Sequence, residues 1–566
     1  MERALSSSHQ LEDINLQLQA YLHAVNFYSW TGDLTQSRMA AEEIGEMARS
    51  PSASPLLLTT WKWLEALMHN RSAGSHELSL RSISEGLEIA KRNGVHVWDH
   101  MLFAQGVYAS FNKRDMRMAK EFLKKMEMTL ESRRRHGLCQ YQYLTGWYHL
   151  LTGNIPLAAQ SAETAKKLAG ETGMLFTEIL CGLLMEQVWY EKKEYPKARV
   201  QLTHTKRLAH RTGSRILDYM CLIREAQFCL TGEEETKEQG LKALRNAMEL
   251  GRKHGYINLF PWWQPSVIAD LCSKALDSGI EVDYVQDLIR KHHLAPSEPP
   301  LAIANWPWPL KVNTLGKFEL FKDGAAPTFS RKVQKKPLLL LKALIALGGK
   351  DVREEQITDL IWPDSEGDAA HNAFKTTLSR LRHLIGEAAI SFQEGKASLN
   401  PSLCWVDTTV FELISRRTDA FLRKSREAGE DTGELEGLNK AIALAKKAID
   451  IYRGHFLAFD EDQAWTTPYR ERLRNRYLSL VTNLGEYLKE TENWEKALEV
   501  FQRALDIDPV AEEIYQQLMI CYRHLHEHAK AVAVYQRCKK TLYSLGIQPS
   551  AKTEAIYRTV RNGTQA

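Results

Sequence analysis

The side chains best suited to chemistry in this sequence lie in HNAFKTTLSRLRHLIG, residues 371–386. At 100° per residue its apolar side chains, with the preceding alanine, fall on one stripe that must be buried. That stripe contains Ala370, Phe374, Leu378, Leu381 and Ile385. The opposite side carries Asn372, Lys375, Thr376, Ser379, Arg380 and His383, with Arg382 at the flank. One helix fits a DNA major groove, where Arg and Asn can form paired hydrogen bonds with base edges.

We therefore predict that this polar side contacts double-stranded DNA, with Lys375 and Arg382 holding phosphates rather than reading bases. The alternative is an ordinary surface helix whose charged side is only solvated. The signs of the charges favour DNA, because the preceding helix carries Glu354, Glu355 and Asp359 whereas this one has Asp368 alone. Lys396 follows at a predicted hairpin tip, where it would either reach DNA or simply decorate a turn.

The neighbouring elements predict the fold that positions this helix. Residues 310–324 alternate apolar and polar side chains and end at Asp-Gly, which indicates a strand and a turn. A buried helix ending at paired glycines and a short amphipathic helix ending at Pro363 follow, and residues 389–400 alternate around Glu394 and Gly395 as a β-hairpin does. Strands, three helices and a terminal hairpin predict a winged helix-turn-helix.

The chain before residue 292 reads as paired helices. Several segments end in similar glycine turns at Gly94, Gly137, Gly173, Gly213 and Gly255, spaced 43, 36, 40 and 42 residues apart. A unit of about 40 residues, closed by a glycine that can adopt a left-handed cap, is typical of an α-solenoid. An irregular all-helical domain is the alternative.

Helices return after residue 437 with a tetratricopeptide (TPR) pattern. Small, aromatic and helix-ending residues of that pattern occur at Leu484, Gly485, Ala497, Phe501, Ala504 and Pro509. The pattern repeats about one unit later at Tyr515, Leu518, Tyr522, Ala531 and Tyr535. We therefore expect a mainly α protein: a TPR-like solenoid, a central winged helix of the α+β type, and a TPR-like carboxyl-terminal domain.

Composition restricts the class of protein. The 566 residues exceed one ordinary core, and a net charge of +4 does not by itself indicate nucleic acid. Eight scattered cysteines without a CxxC pair fit buried thiols in a reducing compartment. No apolar run is long enough to span a membrane. We expect a cytoplasmic protein without a membrane partner.

Other motifs do not predict catalysis, and we expect no enzyme, no cofactor and no metal. There is no GxxxxGK[ST] phosphate loop. His524, His526 and His528 have an inviting spacing but lie where a TPR hairpin turns, without a completing ligand set. Phe260, Trp262 and Trp263 would either line an effector pocket or pack at the end of the solenoid.

The stretch from RKVQKKPLLLLKALIALGG through HNAFKTTLSRLRHLIG to CWVDTTVFE resembles the DNA-binding domain of SARP-type regulators. The following AIDIYRGHFLAFDEDQAW and LYSLGIQPSAKTEAIYRTV resemble the bacterial transcriptional activator domain (BTAD) that accompanies it. The repeats before residue 292 are similar to those of MalT-like regulators. The resemblance implies that Arg380 and Arg382 contact DNA and that the loop starting at IWP, residues 361–363, contacts RNA polymerase. It departs from the pattern at Ser379, where many relatives have a basic residue.

The sequence thus predicts a bacterial regulator with four parts. These are a repeat sensor at 1–292, a proline-rich linker at 293–309, a winged-helix DNA-binding domain at 310–408 and an activator domain at 409–566. Its expected partners are double-stranded DNA, RNA polymerase, an unknown effector or protein at the repeats, and a second copy on DNA. A TPR scaffold that binds proteins and the carboxyl-terminal part of a signalling ATPase are the alternatives.

Overall fold

The structure is a computed structural model of the chain. It describes residue 5 and residues 12–71, 75–130, 135–230, 236–257, 264–296, 298–303, 305–326, 335–365, 367–428, 434–460 and 463–562. The backbone contacts divide into two compact units, Met1–Trp306 and Pro307–Ala566. No helix within the described ranges is long and apolar enough to cross a bilayer.

The first unit is built from antiparallel helical hairpins. Its described helices are α1 (Ile14–Thr31), α2 (Leu34–Met47), α3 (Pro55–Asn70), α4 (His76–Asn93), α5 (Asp99–Lys113), α6 (Met116–Met128), α7 (Arg135–Leu151), α8 (Ile155–Thr172), α9 (Leu175–Glu191), α10 (Tyr195–Thr212), α11 (Arg215–Leu230), α12 (Lys237–His254), α13 (Pro265–Asp277) and α14 (Val282–His292). Consecutive helices pack in pairs, and each pair packs against the next. The predicted solenoid is confirmed.

Glycine caps close most of the predicted repeat units. Gly94, Gly173, Gly213 and Gly255 each follow a helix in the left-handed region that glycine adopts without steric cost. The prediction was wrong at Gly137, which lies buried inside α7. The motif RRHG resembles a helix end in composition, but its arginine and histidine belong to the first turn of the next helix.

The second unit begins with two small sheets. The first contains β1 (Leu310–Asn313), β2 (Glu319–Lys322) and β6 (Cys404–Val406), in which β1 is antiparallel to β2 and parallel to β6. The second contains β3 (Val352–Arg353), β4 (Ile390–Gln393) and β5 (Lys396–Leu399) in the order β3-β5-β4. The β4–β5 hairpin is the predicted wing. Val352 and Arg353 pair with Ala397 and Lys396, so β3 precedes the short amphipathic helix.

Three helices lie between the sheets: α15 (Lys335–Ala346), α16 (Glu354–Ile361) and α17 (Gly367–Ile385). They pack on one another as a winged helix-turn-helix requires. The chain continues as α18 (Asp407–Ala428), α19 (Glu434–Ile451), α20 (Thr467–Glu490), α21 (Trp494–Ile507), α22 (Glu512–His524), α23 (His528–Ser544) and α24 (Ala551–Asn562). The mainly α architecture predicted from the sequence is confirmed.

The predicted TPR positions form the close helix contact that the motif requires. Gly485 on α20 faces Phe501 on α21, and a methyl group at Gly485 would overlap the phenyl ring. Phe501, Ala497 and Ala504 are buried, which fits a small residue on one helix accepting a large one from the next. All eight cysteines are buried free thiols.

Candidate nucleic-acid interface

The stripe predicted to be buried on α17 is buried. Ala370, Phe374, Leu378, Leu381 and Ile385 are all 6% exposed or less. Phe374 also meets Phe392 of the wing with ring centroids 5.3 Å apart, so the same side of α17 contacts both the helical core and the hairpin. This burial fixes the rotation of α17 about its axis and therefore fixes which residues face outward.

The opposite side of α17 forms an exposed polar surface. Six predicted DNA-contacting residues on α17 are exposed, namely Asn372, Lys375, Thr376, Ser379, Arg380 and His383. Neither Lys375 nor Arg380 forms an ion pair with a carboxylate in the part of the chain that the structure describes. Their charges are therefore available to an external anion. An arginine and an asparagine on this surface have the donors and acceptors that paired contacts to guanine and adenine use.

Arg382 has a different environment from Arg380. It is only partly exposed, and its Nε donates a hydrogen bond to the carbonyl oxygen of Ile390 at 3.1 Å. Ile390 is the first residue of β4, so this bond attaches the end of α17 to the wing. Arg382 therefore positions the hairpin relative to the helix, and its predicted phosphate contact stays a prediction.

The wing places a second basic group beside this surface. Lys396 is exposed at the start of β5, directly opposite Arg353 of β3, which is also exposed. Opposed residues in an antiparallel pair have side chains on the same face, where two like charges repel unless an anion lies between them. The sequence analysis missed Arg353 because its pairing with Lys396 joins segments that are 43 residues apart. The one local sign of a binding role was its basic charge beside several acidic residues.

Contacts at both ends of α16 hold this helix beside the turn that leads to α17. His371 Nδ1 lies 2.5 Å from Glu354 Oε1, which joins the first turn of α16 to α17. At the other end of α16, Lys336 Nζ lies 5.4 Å from the ring centroid of Trp362 and donates to the carbonyl oxygen of Ile361 at 3.4 Å. The start of the turn is thus held against α15 while Pro363 remains exposed.

The winged helix is joined to the following helical region through buried hydrogen bonds. The Asp407 carboxylate, at the start of α18, accepts from Thr314 N and Oγ1, both at 2.6 Å, and from Leu315 N at 2.7 Å. The loop after β1 also pairs with the segment after α19, since Gly316 N donates to His455 O at 3.0 Å. Lys342 Nζ on α15 lies 2.7 Å from Asp460 Oδ2. These contacts place the candidate interface and the carboxyl-terminal helices in one unit.

The other residues singled out in the sequence either lack a metal-binding arrangement or lie outside the described residues. His524 stacks on Trp494 with centroids 3.7 Å apart, and no cluster of three metal-ligating side chains occurs in the described ranges. The indole and phenyl groups predicted at Phe260, Trp262 and Trp263 lie outside the described residues.

Residues 418–561 match the family described as bacterial transcriptional activator domain, in agreement with the resemblance seen in the sequence.

The similar proteins are regulators of the same kind. The chain is 22% identical over 255 residues to the transcriptional regulatory protein MoaR1 of Mycobacterium tuberculosis, which covers 44% of this chain and 79% of that protein. It is 22% identical over 222 residues to the regulatory protein AfsR of Streptomyces griseus, covering 39% of this chain and 22% of AfsR. A solved structure of Mycobacterium tuberculosis EmbR with a low-affinity phosphopeptide is 19% identical, with a TM-score of 0.35, and covers 45% of this chain and 65% of EmbR.

The chain thus spans less than two thirds of EmbR and about a fifth of AfsR. Its carboxyl-terminal region matches the bacterial transcriptional activator domain, and the chain is similar to proteins named as transcriptional regulators. The similarity of the amino-terminal repeats to MalT-like regulators stays a prediction.

Proposed function

We propose that this protein binds DNA in a sequence-specific manner and activates transcription, with α17 in the major groove. One observation carries the proposal: α17 is anchored by a fully buried apolar stripe, and its outward side presents Asn372, Lys375 and Arg380 without a carboxylate partner in the described residues. A solvated surface helix usually mixes both signs of charge, whereas the outward side of α17 carries one acidic residue, Asp368 in the first turn, beside Lys375 and Arg380.

Different residues have different roles in this complex. Arg380 and Asn372 would read base edges, and Thr376, Ser379 and His383 would fill the groove between them. Lys375 would hold a phosphate of the same groove. Lys396 and Arg353 would bind the backbone beside it and relieve their mutual repulsion. Such phosphate contacts position the protein without selecting a sequence.

Activation would use the rest of the chain. The turn at residues 361–363 and the activator domain supply surfaces for RNA polymerase, and the amino-terminal repeats would bind an effector that changes how the DNA-binding unit is presented. A single winged helix buries only about 600–1,000 Å² on DNA, so two copies on repeated sites would give adequate affinity. This mechanism places the protein in the bacterial cytoplasm.

Selection of bound duplexes from a random DNA pool tests the proposal. The full-length protein should enrich one motif, and its affinity should fall steeply as salt rises. Lys375→Ala should weaken binding to all duplexes and lower the salt slope by about 1. Lys446→Ala, at an exposed lysine of α19, is the matched control and should leave both quantities unchanged. Failure to enrich any motif would favour a protein-binding scaffold instead.

A further inference from the structure

The inner side of the solenoid encloses a cavity of about 670 Å³. Its walls come from the first helix of each successive hairpin, namely α1, α3, α5, α7, α9 and α11. The volume falls within the range of about 300–1,000 Å³ that small-molecule sites occupy.

The cavity exists because the superhelix closes on itself within the first unit. Ser214 Oγ, just before α11, donates to the carbonyl oxygen of Trp30 at 2.5 Å. Tyr256 donates its phenolic hydrogen to the carbonyl oxygen of Gly32 at 2.7 Å. Gly32 has φ of +86°, and a methyl group there would lie 2.9 Å from the amide nitrogen of Ile216, so only glycine fits this contact. The first and sixth hairpins are thereby joined around the enclosed space.

Most of the cavity wall is apolar and aromatic. Trp30 and Phe176 both line it and contact each other, with ring centroids 5.5 Å apart, and Trp63, Met101 and Met220 contribute further apolar surface. Such a wall favours a ligand with an apolar body.

One buried cation also lines the cavity. Arg71, directly after α3, is 7% exposed, and its guanidinium lies 5.1 Å from the ring centroid of Trp30. Within the described residues it donates a hydrogen bond to the carbonyl oxygen of Ser29 and forms no ion pair with a carboxylate. Burial lowers the pKa of Arg71 to about 10, so the group remains charged at neutral pH.

This arrangement contrasts with that of Arg224, another buried arginine among the described residues of this unit. Arg224 is 3% exposed and forms two hydrogen bonds with the Glu186 carboxylate, at 2.8 and 3.1 Å. Buried charges are ordinarily paired in this way because an isolated one is costly. Arg71 lines the cavity without a carboxylate partner in the described residues, whereas Arg224 is paired with Glu186.

Further polar atoms of the cavity residues are also unsatisfied. Among the described residues, Asn26 Oδ1, Trp63 Nε1 and His136 Nδ1 are buried without a hydrogen-bond partner. Buried polar groups are almost always paired, but these three atoms are covered by protein and do not themselves contact the cavity.

We propose that this cavity is the effector site and that it binds a small carboxylate with an apolar body, the carboxylate pairing with Arg71. The inference rests on the regulatory role proposed above for the repeats. A planar guanidinium matches the two oxygens of a carboxylate, and the aromatic wall takes the remainder of the ligand.

Binding of matched probes to the full-length protein tests this site. Decanoate and decan-1-ol share an apolar chain but differ in charge, and each is titrated while tryptophan fluorescence and the melting temperature are recorded. Decanoate should bind at least tenfold more tightly and raise the melting temperature. The same titrations are made with trileucine whose carboxyl terminus is either free or amidated. Comparing this pair of probes with decanoate and decan-1-ol distinguishes a peptide ligand from an aliphatic acid. Equal binding of charged and neutral probes, or no binding of any carboxylate, would overturn the proposal.

Two variants locate the binding. Arg71→Met should reduce decanoate affinity to that of decan-1-ol, whereas Arg81→Met, at an exposed arginine of α4, should leave the tenfold preference intact. If Arg71→Met does not fold, Leu180→Trp narrows the cavity while keeping the arginine, and it should weaken the binding of both probes. Undiminished decanoate binding by Leu180→Trp would contradict the site. Measuring DNA affinity in parallel separates the claim that the cavity binds a carboxylate from the claim that this binding regulates DNA binding. Decanoate binding without any change in DNA affinity would exclude the effector role.

Discussion

The Asp407 carboxylate accepts hydrogen bonds from both the backbone N–H and the hydroxyl of Thr314, each at 2.6 Å, in a position that is 3% exposed. This contact joins the first strand of the winged helix to the first helix of the region that follows it. The candidate DNA-binding surface is therefore oriented relative to the activator domain by a buried polar network rather than by a flexible linker.

Asp407→Ala should destabilise the second unit. The substitution leaves buried donors on Thr314 and Leu315 unpaired, at a cost of about 1–3 kcal/mol for each lost partner. Urea unfolding should show a lower midpoint for this variant. Asp450→Ala, at an aspartate that is largely exposed, is the control and should shift the midpoint little. Equal stability of the two variants would mean that the network does not join the domains.

Arg224→Met should destabilise the first unit by about 3–5 kcal/mol, because it leaves Glu186 charged and buried. The double variant with Glu186→Gln removes that charge and should recover much of the loss. Thermal unfolding of both variants measures the difference. A single variant as stable as the wild type would show that water reaches Glu186.

Gly485→Ala should cost about 1–3 kcal/mol, because its methyl group would overlap the ring of Phe501 and force a repacking of α20 against α21. For Gly170→Ala, inside α8 with open space around the site, we expect the opposite change in the free energy of unfolding. It should stabilise by about 0.5–1 kcal/mol through helix propensity alone. Chemical denaturation of the two proteins checks both signs, and stabilisation by Gly485→Ala would contradict the packing account.

Arg353→Ala should weaken DNA binding as Lys396→Ala does, with each variant lowering the salt slope by about 1. The two residues face each other across β3 and β5, so the double variant should lose less than the sum if both hold the same phosphate. Fluorescence anisotropy across a salt series measures these slopes. Normal affinity and slope in the double variant would exclude the wing from the interface.

The sequence predicted the orientation of α17 correctly, because the signal for it is local. The stripe from Ala370 to Ile385 has helical periodicity within one element, so its burial and the exposure of Arg380 follow from spacing alone.

Prediction failed where partners are distant in sequence. Arg353 pairs with Lys396, Arg382 bonds to Ile390 through the packing of the wing, and Tyr256 bonds to Gly32 across 224 residues. Nothing in the local pattern around Arg71 indicates that its guanidinium lines a cavity, because that cavity exists only once the solenoid closes.

The central claim concerns base reading by α17, and Arg380 tests it most directly. Every base pair of the selected duplex is replaced in turn, and affinities are compared for wild-type protein and Arg380→Ala. The wild type should discriminate one guanine by about 1–3 kcal/mol, and the variant should lose that preference while retaining the others. An unchanged pattern of discrimination at every position would show that α17 does not read DNA through this side chain.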